Sequence, residues 1–543
     1  MSVSLSEHLP LLAEAPDGIK KLRGLILELA VRGKLVPQDP KDEPASELLK
    51  RIASNKVGQK SKPLVSFSDD ERPFEVPESW QWTRFESIFT LEYGDNLPAP
   101  RRTNSGEFPV YGSNGVVGSH SEWSVNSPCI VVGRKGSAGA LNLCLKSGCW
   151  VTDVAYYCIP PKELDLLFCF KLFHTLGLAE LGKGIKPGLS RSEAYVVPVA
   201  IPPLTEQHRI VAKVDELMAL CNRMEAEQAD AEAAHATLVQ TLLGTLTQSR
   251  DAAELAANWQ RLSQHFDTLF ATEASLDALK QTILQLAVTG KLVPQDPNDE
   301  PASELLKRIA AEKARLVAAG KIRKDKPLPP VGEDEKPFKL PDGWEWRRLE
   351  DVLQISGGLT LGRKLHGREV VSMPYLRVAN VQRGYLALDV IKNTDVPTDE
   401  VGKYELKPDD LLITEGGDWD KVGRTAIWKG AIAPCLNQNH VFRARKLVSH
   451  WNVKWTEMYL NSAIARDYFA GASKQTTNLA SINMTQLRGC QFPVPPEREQ
   501  HRIVAKVDEL MALCDSLKAD LAESRSRQAR LATTLIESAL QAA

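Results

Sequence analysis

The 543-residue chain has almost no excess of charge: 67 Lys and Arg stand against 69 Asp and Glu, for a formal charge of −2. A chain-wide basic footprint for nucleic acid is therefore missing, and only local basic loops are left to meet a polyanion. Its nine Cys stand singly, with no CxxC and no partnering His cluster. Cys144 and Cys149 lie closest in sequence. An odd count at irregular spacing argues against a disulfide framework or a zinc site and for reduced, buried thiols in a cytoplasmic protein. No run of about 18 apolar residues is present to cross a membrane. The N-terminus, MSVSLSEHLPLLAEAPDG, carries acidic residues where a secretory signal carries basic ones, so no signal peptide is expected.

Catalytic signatures are missing as well. No Gly-rich loop ends in GK[ST], which excludes a P-loop nucleotide site. No Asn/Asp-Pro-Pro-aromatic tetrapeptide for amino-methylation occurs, because the Pro-Pro pairs follow Ile159, Ile201, Leu328 and Val494. The VDEL segments at 214–217 and 507–510 have apolar flanks and no accompanying P-loop, and Asp409–Asp410 lacks the strand context of a nuclease metal site. No metal ligands and no catalytic residues are assigned.

What is present is duplication. Residues 207–221 and 500–514 both read QHRIVAKVDELMALC. Upstream, residues 29–53 return at 286–310 with changes only at Arg32/Thr289 and Lys41/Asn298. RPFEVPESWQW (72–82) aligns with KPFKLPDGWEW (336–346). Two copies of one plan, at about 1–255 and 256–543, indicate domain duplication and not a solenoid.

Each copy opens on an amphipathic helix, with Ile19, Leu22, Ile26 and Leu29 in one and Leu276, Leu279, Ile283 and Leu286 in the other. Gly33 and Gly290 fall where a helix C-cap belongs, and KLVPQDP prevents continuation. A second helix, ASELLKRIA, follows, and then polar connectors at 54–73 and 321–337 that read as exposed. The unlike segments at about 74–203 and 338–496 hold short β-branched runs: CIVVGRKGS (129–137), AYVVPVAIP (194–202), MPYLRVANV (373–381) and DLLITEGGD (410–418). Helices are expected near 167–176 and 455–470. Past Pro202–Pro203 and Pro495–Pro496 a long helix begins in each copy, with Thr205 as a plausible N-cap. Its four–three rhythm runs through Ile210, Val214, Leu217, Cys221 and Met224 to Leu238 and Leu242. The other copy runs through Ile503, Val507, Leu510, Cys514, Leu517 and Leu521 to Leu531 and Leu535, the spacing of a coiled-coil seam.

The expected fold is α+β: two mixed α/β, strand- and loop-rich heads separated by long antiparallel coiled-coil helices, with an internal pseudo-twofold repeat. The expected boundaries are an N-terminal helical region (1–73), head one (74–203), a central region with the first long helix and the repeated frame (204–337), head two (338–496) and the C-terminal helix (497–543). About 40 helical residues make a rod of ~60 Å. Unlike heads on identical frames would hold two different surfaces a set distance apart.

The frames, PP..EQ.RIV..VDEL.ALC and G.L.PQ....EPASELL.RI, together with the bipartite layout, resemble the specificity (S) subunits of type I restriction–modification systems. FPVYGSNGVVG (108–118), IVVGRKGSAG (130–139) and LITEGGDWDKVGR (412–424) resemble turns of that family's target-recognition domains. The resemblance implies a non-catalytic reader of double-stranded DNA that binds two methyltransferase (M) subunits and, in the full complex, restriction (R) subunits. S-adenosylmethionine, ATP and Mg are then expected on those partners and no cofactor on this chain. Two other readings stand beside it: a self-contained restriction or methylation enzyme, and a scaffold whose heads bind protein.

Candidate DNA-binding residues in head one are Arg101, Arg102, Asn104, Ser113, Asn114, Arg134, Lys135, Ser137, Lys183, Lys186, Ser190 and Arg191. In head two they are Arg363, Lys364, Arg377, Asn380, Gln382, Arg383, Trp419, Lys421, Arg424, Asn437, Gln438, Asn439, Lys474, Gln475 and Asn478. Arg and Lys suit guanine edges, Asn suits adenine, and the flanking glycines let backbone approach phosphate. Against this, RKGS and GKG are also ordinary solvated turns, and a Trp such as Trp419 more often anchors its own loop than stacks on a base. Trp80, Trp82, Trp344 and Trp346 recur at the entrance to each head and read as packing anchors, while His208 and His501 read as capping or partner-contact residues.

Overall fold

The computed structural model describes residues 12–55, 71–103, 105–182, 188–250, 252–324, 326–417, 421–476 and 479–542, with the backbone alone at 474–476, 479 and 542. The frame helices form where their apolar spacing places them. Gly18–Val31 buries Ile19, Leu22, Ile26 and Leu29, and Glu273–Val288 buries Leu276, Leu279, Ile283 and Leu286. Each ends in a left-handed glycine, Gly33 at φ 69° and Gly290 at φ 72°. The amide of Lys34 then reaches back to Leu29 O and that of Lys291 to Leu286 O, which satisfies carbonyls the helix leaves over. The second frame helices are Ala45–Asn55 and Ala302–Ala318. The connector at 321–337 is tied down more than its composition suggests: Arg348 donates to Pro329 O, Pro330 O and the Glu335 carboxylate, and Leu328 N donates to Glu350. Most of its counterpart lies outside the described residues.

The chain divides into two compact units, Met1–Ala233 with Glu523–Ala543, and Ala234–Ala522. The long helices are Leu204–Gln248 and Glu497–Ala542. Each unit holds the start of one and the end of the other. The seam residues Ile210, Val214, Leu217 and Cys221 are buried, as are Ile503, Val507 and Cys514, while Leu510 is half-buried. Much of what fills each seam is the frame helix of the same copy, a partner that periodicity cannot name. Arg23 bonds Asn222 and Glu225 in the first unit; in the second, Lys518 pairs with Asp277 and Lys280 with Asp515. The last turns of the other long helix join the same cores. Leu535 and Ile536 pack against the first, and Val239, Leu243 and Leu246 are buried in the second. Leu238 and Leu531, which the spacing put on the seam, are 51% and 64% exposed, so the buried stripe has moved one residue along to Val239 and Ala532. Thr205 is not the N-cap: the helix has begun at Leu204, and the Thr205 hydroxyl donates to Asp42.

In the first unit the head has strands β1 (Gln81–Arg84), β2 (Glu92–Tyr93), β3 (Phe108–Gly112), β4 (Gly115–His120), β5 (Cys129–Gly133), β6 (Leu141–Cys144), β7 (Trp150–Val151), β8 (Ala155–Cys158) and β9 (Pro198–Ile201). The head's first and last strands, β1 and β9, pair antiparallel, so the chain enters and leaves side by side. A four-stranded antiparallel sheet runs β2-β8-β5-β6, and a three-stranded one runs β4-β3-β7 with β7 parallel to β3.

The second unit's head has β10 (Glu345–Arg348), β11 (Leu353–Ser356), β12 (Val370–Leu376), β13 (Lys392–Pro397), β14 (Leu411–Thr414), β15 (Gly416–Gly417) and β16 (Thr425–Ile427). It continues with β17 (Leu436–Asn437), β18 (Val441–Lys446), β19 (Lys474–Thr476), β20 (Leu479–Ser481) and β21 (Gln491–Val494). Its plan repeats the first: β10 pairs with β21, a four-stranded sheet runs β11-β18-β14-β16, and a three-stranded one runs β13-β12-β17. A small sheet, β15-β20-β19, is additional. Two segments without evident sequence similarity therefore share one topology. The central strands β5 and β14 are buried along their whole length, and burial on both faces accepts any apolar β-branched run.

Local expectations were shifted in three places. Ala194 and Tyr195 end a short helix, Arg191–Tyr195, and the strand starts only at Pro198. The helix at 455–470 is two helices, Val453–Asn461 and Ala463–Ala472, broken at Ser462, whose hydroxyl caps the second. The helix near 167–176 is Leu166–Phe173, capped by Asp165. All nine Cys are free and buried, and Cys129 Sγ sits 3.8 Å from Cys149 Sγ, a neighbour twenty residues away in sequence. No described helix is long and apolar enough to cross a membrane.

Candidate nucleic-acid interface

In head one, the turn after β5 is compressed to backbone contact. A side chain on Gly133 would meet Ser137 O at 2.0 Å and Ser113 O at 2.4 Å, so this turn abuts the Ser113–Asn114 turn between β3 and β4. Arg134 leaves the strand there. Its guanidinium lies 4.7 Å from the Tyr93 ring centre and 5.7 Å from that of Tyr156, and donates to Asp153 O at 2.9 Å. Arg191 covers Tyr93 at 4.3 Å and donates to Leu91 O at 3.2 Å. A half-exposed tyrosine between two guanidinium groups fixes both without neutralising either. Burial pushes the Tyr156 hydroxyl above its ordinary value, and that hydroxyl donates to Leu189 O. Lys135 bridges to Gly188, and Ser137 and Ser190 belong to the same turns. Ser113, Asn114, Arg134, Lys135, Ser137, Ser190 and Arg191 thus come together through shared backbone contacts.

Arg102 donates to Val117 O of β4 and to Leu97 O, while Arg101 is exposed. Asn104, Lys183 and Lys186 lie outside the described residues. Tyr93, which sequence reasoning passed over, organises the cluster; its only signal was an aromatic beside a glycine in LEYGDN.

In head two, β14 ends at Thr414. Its hydroxyl donates to Lys421 O and accepts from Arg424 N, which folds the following loop back on the strand. Glu415 follows. Its carboxylate is bonded to His440 Nδ1 at 2.5 Å, and the other ring nitrogen lies 3.3 Å from Asn439 Nδ2. Arg424 donates to Gln382 at 2.6 Å. Gly416–Gly417 pairs with β20, and β20 with the strand carrying Lys474 and Gln475. Lys421 and Arg424 are thereby tied to Thr414, Gln382 to Arg424, and Asn439 to the His440 that bonds Glu415, a residue sequence reasoning also missed.

Other candidates in head two have structural duties. Asn437 is fully buried and donates to Val441 O, and Asn380, 3% exposed, bonds Arg377 N, Ala387 O and Val390 O. Both carboxamides are buried and hold their own loops together. Arg363 pairs with Glu400, whose carboxyl Arg363 and Arg368 hold at about 2. Arg377 donates to Val390 O; Lys364 is exposed, and Gln438 and Arg383 are partly exposed. Trp419 and Asn478, with the side chains of Lys474 and Gln475, lie outside the described residues.

Below each head one constellation recurs. Glu206, near the start of the first long helix, is fully buried and accepts from Gln38 Nε2 at 2.7 Å and Trp80 Nε1 at 3.0 Å. Glu499 does the same with Gln295 at 2.6 Å and Trp344 at 3.0 Å. Arg209 pairs with Asp42 and Arg502 with Asp299, both at 2.6 Å. One glutamate thus joins the glycine turn of the frame, the head's entrance and the long helix. His208 and His501 approach Asp165 and Asn452, which cap the first long-enough helix of each head.

Two heads of one topology and unlike surfaces, each entered and left through paired strands on a repeated frame, define a modular, bipartite recognition protein. The sequence model of the type I restriction modification DNA specificity domain matches residues 77–233 and 341–524, and the chain belongs to that family. It is a specificity subunit, the component that recognises DNA sequence, and not a catalytic one. It is 40% identical to the type I restriction enzyme EcoAI specificity subunit of Escherichia coli, covering 96% of this chain and 94% of that one. The EcoEI specificity subunit of the same organism is 38% identical over the same shares. A solved chain from a study of complex assembly and conformational transition in a type I R-M system matches with a TM-score of 0.49 at 17% identity, covering 86% of this chain and 99% of that one.

Proposed function

We propose that each head reads one half of an asymmetric, bipartite site in double-stranded DNA, and that the two frames dock two methyltransferase subunits, to which restriction subunits add. S-adenosylmethionine, ATP and Mg then belong to those partners, and the assembly works in the cytoplasm. The observation that carries this reading is the contrast between the two parts of each unit. The Glu206 and Glu499 constellations match bond for bond, whereas the turns at the ends of β5 and β14 differ in charge. What docks on the frame docks twice; what meets the heads differs. The exposed Lys213–Glu216 and Lys506–Glu509 pairs, identical in the two copies, suit two copies of one partner.

The test is reconstitution. The purified chain alone should transfer no methyl group from S-adenosylmethionine, and adding an M subunit should produce methylation at one bipartite motif. Binding of that complex to duplex should fall steeply with salt, because phosphate contacts release counterions. Methyl transfer by the isolated chain, or a complex indifferent to DNA, would overturn the proposal.

A further inference from the structure

The shared topology of the heads allows residues to be matched that sequence alignment cannot match. In head one the last pair of the central strand is Gly133 with Ala155, and Arg134 N then donates to Val154 O at 3.0 Å. In head two the last pair is Thr414 with Val441, and Glu415 N then donates to His440 O at 3.0 Å. The next crossing agrees too. Leu189 N donates to Arg134 O and Ile482 N to Glu415 O, both leucine and isoleucine are buried, and a short helix follows in each head. Arg134 and Glu415 therefore occupy one position of one scaffold.

They are opposite in every property that matters to a base edge. Arg134 offers only donors, and its plane is set by Tyr93 and Tyr156. Glu415, whose side chain keeps 29% of its exposure, offers only acceptors and is oriented by the half-exposed His440. A carboxylate is repelled by the phosphate backbone, so its place in a DNA-facing turn is explained by a base donor and not by phosphate. An Arg in the major groove reads guanine O6 and N7; a carboxylate accepts from an exocyclic amino group, as on cytosine.

We propose that this position is a specificity-determining position in both heads: Arg134 reads a guanine in one half-site, and Glu415 reads a base amino group in the other. Tyr93 and His440 act as positioning residues. The inference rests on the DNA-reading function proposed above.

The experiment uses the full chain in complex with its M subunit. Methylome sequencing of cells carrying the wild-type pair defines the motif, and duplexes with each base pair of that motif changed singly then serve as binding probes. Arg134→Gln should erase a roughly ten- to hundredfold discrimination at one base pair of one half-site and leave the other half-site unchanged. Glu415→Gln should do the same at one base pair of the opposite half-site. Unaltered discrimination in both variants, uniform weakening across all duplexes, or changes falling in both half-sites at once would overturn the proposal. A wild-type pair that yields no motif would instead overturn the DNA-reading function itself, and this inference with it.

Discussion

Glu206 accepts the indole N–H of Trp80 at 3.0 Å in a site closed to solvent, and Glu499 accepts that of Trp344 at the same distance. Burial raises both carboxyls above the usual glutamate range, although the Gln and Trp donors pull the other way. A raised value in the folded state means that folding favours the protonated form. The stability this confers is present below the unfolded glutamate range and is lost as pH rises through the folded value. The difference in melting temperature between wild type and a Glu206→Gln/Glu499→Gln variant should therefore shift in favour of wild type as pH falls from neutral through that window. Melting curves of both proteins across pH test this; a constant difference would show that the carboxyls are not held up.

Removing the donor leaves the acceptor buried and short of a partner. Trp80→Phe and Trp344→Phe should each cost about 1–3 kcal/mol, and by similar amounts, because the two sites match. Denaturant unfolding measures it. A large asymmetry would mean that one head adds support the other lacks.

Gly33 and Gly290 should not tolerate a side chain. Each has positive φ, and a Cβ would stand 2.6 Å from the Pro77 ring or 2.5 Å from the Pro341 ring. Alanine at either place should cost at least the ~1–2 kcal/mol of a left-handed residue, with the proline contact added. Thermal melts of the two single variants should fall together.

Asn437→Ala separates stability from recognition. The carboxamide is fully buried against Val441 O, so the variant should lose about 1–3 kcal/mol while the methylated motif stays the same at every base. A changed motif would return Asn437 to the reading surface.

Removing matched heptads from both long helices shortens each by ~10 Å, about three base pairs at ~3.4 Å each. The spacer of the methylated motif should shrink accordingly. An unchanged spacer with methylation retained would mean that the helices do not set it.

Much of this protein was legible in the chain because repetition is visible without coordinates. The frame helices, their glycine stops and the buried faces of Ile210, Val214, Ile503 and Val507 follow from spacing, since a helix face depends on residues three and four apart. The partners of those faces do not follow. Periodicity says that Leu217 is buried but not that the frame helix helps bury it, and a drift of one residue exposed Leu238 and Leu531 in favour of Val239 and Ala532. The heads show the limit most clearly. Residue type alone made Asn437 and Asn380 look like readers and left Tyr93 and Glu415 unnoticed. Their surroundings come from the fold: a loop closed on Asn380, the strand Leu436–Asn437 carried Asn437 into the interior, and strand register, a relation between residues far apart in the chain, brought an arginine and a glutamate to one position. The repeat and its helices are local and were written in the sequence; the matching of Arg134 to Glu415 is non-local, and only the fold could make it.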